Sequence, residues 1–236
     1  MIPETDNAVE KIFSPKVSRT YELVNHLLTF GCDVLWRRKM TRLASRGGGT
    51  EWADLCTGTG ETAAYLRRLA PEGTTVHAVD FSRAMMAEAM KKPEGKGIDF
   101  VVADVKALPF EDNSLDLITM SFATRNINLS REVLTKTFAE YHRVLKPGGR
   151  FFNLETSQPP NGWVRRLVHV FAKGLVKPIG AALSGARPAY AYLAHTIPRF
   201  YSADDLADIL RDAGFEAVRF KRLLFGVAAI HESTKD

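Results

Sequence analysis

Glu51-Trp52-Ala53-Asp54-Leu55-Cys56-Thr57-Gly58-Thr59-Gly60-Glu61, followed by Thr75-Val76-His77-Ala78-Val79-Asp80, decides the fold. A short apolar run ends in a glycine-rich turn, a helical pattern starts at Glu61, and a second apolar run ends in an acid. Gly58 and Gly60 let the backbone turn tightly and approach a ligand with no Cβ in the way. An acid closing the next strand can accept hydrogen bonds from both hydroxyls of a ribose. The order strand, turn, helix, strand, acid therefore predicts a nucleoside pocket, with Gly58 and Gly60 at its loop and Asp80 behind it.

Outward from this stretch, strand and helix patterns alternate. Strands are predicted at 50–55, 75–80, 98–103, 115–121 and 150–155, and helices at 61–69, 82–91 and 131–145. That rhythm argues an α/β fold with a doubly wound, mostly parallel sheet. Ser82 is the expected N-cap of its helix, and Lys146-Pro147-Gly148-Gly149 marks a helix stop and turn before the fifth strand. Upstream, helical spacing at 17–28 and 33–44, joined by Phe30-Gly31, predicts a helical cap over 1–49. The cofactor-binding core is 50–156. An insertion occupies 157–202, and 203–236 supplies a last helix at 203–213 and two runs, 215–221 and 223–230, close enough for an antiparallel hairpin. All four parts are expected to form one domain, 1–236, since a chain of this length suits one large core.

The glycine pattern Gly58-x-Gly60-x-x-Ala63 with Asp80 also fits a dinucleotide fingerprint. Two features favour S-adenosyl-L-methionine over a nicotinamide. Asp54 stands ahead of the glycines, where a carboxylate could reach an amino-acid ammonium, and Ala103-Asp104 ends a third strand before Leu108-Pro109-Phe110. A dinucleotide offers a pyrophosphate there, which an acid would repel. Asp54 could equally be an acid that fixes the loop's backbone.

Cys32 and Cys56 are the only thiols, too few for a disulfide framework and unsuited to a metal, so no metal and a reducing, cytoplasmic setting are expected. The polar start of the chain does not read as a signal peptide, and no uncharged run reaches membrane-spanning length. The net charge of +5 is local. Between Glu155 and Asp204 there is no acid, but there are Arg165, Arg166, Lys173, Lys177, Arg187 and Arg199.

Three stretches beyond the loop resemble the ubiquinone/menaquinone biosynthesis C-methyltransferases. Tyr21-Glu22-Leu23-Val24-Asn25, Leu28-Thr29-Phe30-Gly31 and Trp36-Arg37-Arg38 are similar to that family's N-terminal pattern. Phe122-Ala123-Thr124-Arg125-Asn126 resembles its Phe-Gly-x-Arg-Asn signature, and Leu154-Glu155-Thr156-Ser157 its Leu-Glu-Phe-Ser. Tyr190-x-Tyr192-Leu193, Gly214-Phe215 and Gly226 to His231 complete the likeness. The resemblance implies a class I methyltransferase fold and places cofactor contacts on Thr59, Asp80, Asp104, Val105 and Ser121. Tyr21 is a further candidate to cover the cofactor. Three departures concern the loop and the reaction centre: Cys56-Thr57 leads the glycines, Ala123 replaces a glycine before Arg125, and Leu129 replaces the acid usual after Arg-Asn. The last two bear on the acceptor more than on the reaction.

The implied reaction is C-methylation of a prenylated quinol, a demethylmenaquinol or a 2-polyprenyl-6-methoxy-benzoquinol. A phenol of pKa near 10 lies about three units, or about 4 kcal/mol, from ionisation at neutral pH. A guanidinium beside the oxygen lowers that by about 1 to 3 units. Arg125 is the candidate activator, with Asn126 orienting it or a water; a capping or pairing role for Arg125 is the plainer alternative. Tyr192 and His195, in the insertion, are candidates to line the acceptor pocket or take the proton. The pattern at 163–177 alternates cations with large apolar residues, which suits either a solvated helix or peripheral contact with an anionic membrane. A nucleic-acid partner is not expected, because Pro159-Pro160 follows the fifth strand rather than the fourth and lacks the aromatic neighbour that stacks a base. An O- or N-methyltransferase of other small molecules, and a non-catalytic binding subunit, are the competing readings; a homodimer is left open.

Overall fold

The structure, a computed structural model, describes residues 26, 29–176 and 195–236. The predicted helix at 17–28 lies almost wholly outside them, and so do Tyr21 and Tyr192. The second cap helix, α1, is Cys32–Ala44, entered through Phe30 and Gly31 in the left-handed region at φ 53° and 74°. The core then runs β1 Glu51–Leu55, α2 Glu61–Leu69, β2 Thr75–Asp80, α3 Arg83–Met90, β3 Asp99–Val102 and β4 Leu115–Ser121. A single helical turn, α4 Thr124–Ile127, precedes α5 Arg131–Val144 and β5 Leu145–Thr156. After these come α6 Gly162–Phe171, α7 Ala203–Asp212, β6 Ala217–Leu223 and β7 Ala228–Thr234.

All seven strands join one sheet in the order β3-β2-β1-β4-β5-β7-β6, parallel except where β7 pairs antiparallel with β5 and β6. This is the doubly wound sheet with a closing hairpin that the alternation predicts. The inner strands are covered on both faces, which is why Trp52, Ala53, Leu55, Val76, Val79, Ile118 and Met120 read as continuous apolar runs. On one side Phe138 and Tyr141 of α5 meet Phe151 and Phe215 in a ring cluster with centroids 5.3–6.0 Å apart. On the other, Met40 and Ala44 of α1 and Leu66 of α2 pack on Trp52, Phe152 and Leu154. Removing one such buried ring, as in Phe138→Ala, costs about 3–5 kcal/mol. Side-chain caps fix several helix starts: Ser82 accepts from the Met85 amide, Ser130 from Val133, and Ser202 with Asp205 forms a reciprocal capping box.

Two expectations shift. The Pro147-Gly148-Gly149 turn is absorbed into β5, where the register against β4 jumps between Leu115 and Leu117 and Gly148 sits at φ 77°. The hairpin turn falls at Leu224–Gly226, inside the predicted last strand, so that β7 starts at Ala228. No helix among the described residues is long and apolar enough to cross a membrane.

Candidate functional site

The chain winds outward from β1 to β2 and β3, then returns to β4 on the other side of β1. A crevice outside the carboxyl ends of β1 and β4 is where such a sheet binds ligands. Into it the glycine loop turns with Cys56, Gly58 and Gly60 at φ 51°, 57° and 82°. At Gly60 a Cβ would come 3.1 Å from that of Ala89, so glycine answers both a conformational and a packing demand.

Asp80 ends β2, and its carboxylate accepts from the Gly58 amide through Oδ2 and the Ser82 amide through Oδ1, both at 2.8 Å. Burial pushes its pKa up, against the pull of these amides. Each oxygen keeps lone-pair capacity for a ribose hydroxyl. Thr59 is buried in the loop, with its carbonyl accepting from Lys92 Nζ at 2.9 Å. Beyond β3, Asp104 exposes 53% of its side chain and accepts from the Lys106 amide at 2.9 Å, while Val105 beside it is buried. Ser121 ends β4 with its hydroxyl 2.7 Å from that of Thr62, joining β4 to α2. The structure thus gathers Thr59, Asp80, Ser121 and the 104–105 turn along one edge of the sheet.

Asp54 differs from these. It is wholly buried beneath the loop, accepting from Thr57 Oγ1 at 2.6 Å and Thr119 Oγ1 at 2.7 Å. Burial raises its pKa to about 6, although those hydroxyls and the nearby Arg37 charge oppose the rise. Its geometry is that of an acid pinning the loop to β4. The Cys56 thiol is pushed well above its ordinary value by burial, then by the Asp80 and Asp54 charges.

Arg125 lies on α4, just past β4, and is buried. Its Nη1 donates to Glu155 Oε1 at 3.0 Å and Thr156 Oγ1 at 2.8 Å, while its amide donates to Glu155 Oε2 at 3.2 Å. Glu155, 1% exposed at the end of β5, therefore fixes both the guanidinium and the turn that bears it. Asn126 is half-buried beside it. His195 is exposed, with Nδ1 3.1 Å from Arg199 Nη1, and is not brought to this edge by any contact among the described residues.

One group escaped the sequence reading. Arg37 Nη1 lies 2.6 Å from Asp33 and 3.1 Å from Glu61, the first residue of α2, and its guanidinium lies over the Phe122 ring at 5.0 Å. His26 adds contacts to Asp33 at 2.7 Å and Glu61 at 3.4 Å. Burial would raise the Asp33 pKa, but the Thr29 hydroxyl, Arg37 and His26 together hold it below its usual value. The carboxylates and imidazole lie within 4.8 Å of one another, but the guanidinium already supplies the positive charge between them. The network ties the cap to the loop. Its only trace in the sequence is the i, i+4 spacing of Asp33 and Arg37, which also suits an ordinary surface pair.

A glycine cradle at the switch point, an acid at the end of β2, a polar end to β4 and a β7 strand that reverses between β5 and β6 define a class I methyltransferase. Its fold is shared by an S-adenosylmethionine-dependent methyltransferase of Thermotoga maritima, with a TM-score of 0.64 at 17% identity over 94% of this chain and 98% of that one. The ubiE/COQ5 methyltransferase family matches residues 1–235, and the chain belongs to it. Relatives include the ubiquinone/menaquinone biosynthesis C-methyltransferase UbiE of Desulfotalea psychrophila, 38% identical over 96% of this chain and 90% of that protein. The demethylmenaquinone methyltransferase of Thermus thermophilus is also 38% identical, over 92% of this chain and 96% of its own length. The chain is an S-adenosyl-L-methionine-dependent methyltransferase, and the cradle fits that donor: a glycine loop at the end of β1 and an acid at the end of β2.

Proposed function

We propose that the chain methylates a ring carbon of a prenylated quinol, a demethylmenaquinol or a 2-polyprenyl-6-methoxy-benzoquinol. The family match over residues 1–235 carries the reaction class, C-methylation in quinone biosynthesis. S-adenosyl-L-methionine supplies an activated methyl group, so the protein's task is alignment of the acceptor and generation of a carbon nucleophile. Asp80 would hold the ribose, Asp104 and the Val105 amide the adenine, and Thr59 with Ser121 the amino-acid end. Arg37 presents Nε and Nη2 without partners among the described residues, which suits the carboxylate of that end.

Arg125 acts as an electrostatic activator. Held by Glu155 and Thr156, it has no freedom to swing, and a fixed charge stabilises a developing phenolate at no reorganisation cost. A guanidinium stays protonated at ordinary pH, so the phenol proton goes to water or to another base; after the methyl group leaves sulfur as a neutral thioether, the methylated ring carbon loses its hydrogen the same way and the ring regains its aromaticity. Asn126 orients that water. Tyr192 lies outside the described residues, and His195 stays a candidate for the pocket wall.

The acceptor's polyprenyl chain keeps it in lipid. We place the peripheral membrane contact on α6, whose exposed face carries Trp163, Leu167 and Val170 among Arg165 and Arg166, with Lys173 exposed just after it. This favours bilayer contact at the inner, cytoplasmic surface over a homodimer through the same face. The reading is tested by incubating the enzyme with labelled donor and demethylated benzoquinols and naphthoquinols, then locating the label by mass spectrometry. Label on ring carbon is the expected result; label on oxygen, or on no quinol, overturns it.

A further inference from the structure

The turn between β6 and β7 holds three consecutive residues, Leu224, Phe225 and Gly226, in the left-handed region at φ 42°, 54° and 93°. Glycine adopts such angles freely, whereas a leucine and a phenylalanine there are strained. Both side chains are nonetheless turned outward: Phe225 is 79% exposed and Leu224 52%. Strain that displays large apolar groups to solvent is not explained by packing, and strained backbone concentrates where a surface has work to perform.

The turn has a neighbour. A Cβ on Gly226 would fall 2.8 Å from Pro160 Cδ and 3.3 Å from Pro159 Cα, and the Ser157 amide donates to the Val227 carbonyl at 2.9 Å. Pro160 directly precedes Asn161, the residue that caps α6 through the Trp163 and Val164 amides. The hairpin tip therefore lies against the start of α6, where Trp163 begins the exposed apolar face. At the far end of that helix the ring of Phe30, itself 83% exposed, lies 6.2 Å from Phe171.

We propose that the Leu224-Phe225 tip is a second bilayer anchor that inserts beside α6, so that the enzyme docks on anionic lipid through two elements at once. The proposal rests on the membrane contact assigned to α6 above. Charge selects lipid over a second copy of the chain. α6 and the residues just after it expose Arg165, Arg166 and Lys173 with no acid among them, so two such faces brought together would oppose like charges. An anionic headgroup layer complements them, with the apolar side chains passing into the interface. Two anchors from different elements would also fix the orientation of the sheet edge relative to the surface, which one rolling helix cannot.

The test uses the full chain and vesicles of phosphatidylcholine with or without phosphatidylglycerol. Phe225→Gly removes the ring while suiting the backbone, so its thermal midpoint should equal or exceed that of the parent. Its partition onto phosphatidylglycerol vesicles should fall roughly 10-fold, the scale set by withdrawing one aromatic side chain from an apolar phase. Turnover of an acceptor embedded in vesicles should fall in parallel, with turnover of a short-chain soluble quinol unchanged. Trp163→Ser/Leu167→Ser separates the two elements. If that variant loses vesicle binding and Phe225→Gly keeps it, the tip is not an anchor and the α6 contact stands. If the parent binds no vesicle, both fall. A dimer in solution that Phe225→Gly dissociates, without vesicle binding, assigns the tip to a second copy instead and overturns the proposal.

Discussion

Replacing Asp54 by asparagine separates two roles that the cradle allows it, loop fastener and ammonium partner. The asparagine keeps the size and can still bond to the Thr57 and Thr119 hydroxyls, which lie 2.6 and 2.7 Å from the carboxylate, but it cannot ionise. Burial raises the folded-state pKa of Asp54 from 3.8 to about 6, a displacement worth about 3 kcal/mol. The folded protein then holds a proton that the unfolded chain has released across that interval, so stability from this group is full below pH 3.8 and is lost as pH rises through 6. Urea unfolding of the ligand-free protein at several values between pH 4 and 7 should show Asp54→Asn gaining on the parent by about 2 kcal/mol over that span. Other titrating groups are common to both proteins and cancel in the difference. A difference that does not change with pH would refute the account of a charge held at burial's expense. Calorimetric titration with the donor then decides the role: an ammonium pairing with Asp54 requires the ionised form, so affinity should fall about tenfold per unit below pH 6 in the parent and be weak and flat in Asp54→Asn. A fastener would leave donor affinity within about twofold in both.

Arg125→Gln keeps polar contacts to Glu155 and Thr156 but removes the charge; kcat should fall about 10- to 1,000-fold at neutral pH, the range of phenol pKa shift a guanidinium supplies, and recover as pH rises toward the free phenol's pKa, with donor affinity unchanged by calorimetry. Gly60→Ala forces a Cβ into φ 82° and against Ala89, and should lower stability by about 1–2 kcal/mol in urea unfolding and weaken the donor more than the quinol. Arg37→Lys should raise KM for the donor roughly tenfold with kcat little changed, since an ammonium cannot serve Asp33, Glu61 and a ligand carboxylate together; an unchanged donor KM would remove Arg37 from the site.

The parts of the fold that follow from hydrophobic period were legible in the sequence. β2, β4 and α2 fall on their predicted residues because each is bounded by a clear turn or cap and buried on a full face. The Leu224–Gly226 turn was not legible, since its left-handed residues are a leucine and a phenylalanine that read as strand. Gly148, in contrast, reads as a turn, yet the chain bulges there without leaving β5. In the site, the position of Thr59, Asp80, Ser121 and the 104–105 turn at strand ends was legible from the alternation of elements, since a doubly wound sheet receives ligands at that edge. What the pattern could not convey is direction: that Arg125 reaches inward to Glu155, that both oxygens of Asp54 are engaged below the loop, and that Arg37 crosses from the cap to Glu61. Those depend on contacts between elements far apart in sequence.

Direction also explains why so many charges lie buried along one edge of the sheet. Asp33 with Arg37, Asp54, Asp80, and Arg125 with Glu155 are each less than 10% exposed, and such burial is weak evidence of stability because desolvation offsets most of the attraction. An apolar edge of equal volume would hold the fold at least as well. The donor, however, is a zwitterion with a sulfonium, and the acceptor must carry negative charge before its carbon attacks. Fixed charges in a dry site act on such a reaction with little screening. Each group is moreover held by partners on another element: Asp80 by the loop amides, Arg125 by β5, Arg37 by α2. The edge therefore keeps its field oriented before either substrate arrives, and the Arg37–Glu61 ion pair ties α1 to the start of α2 at that same edge.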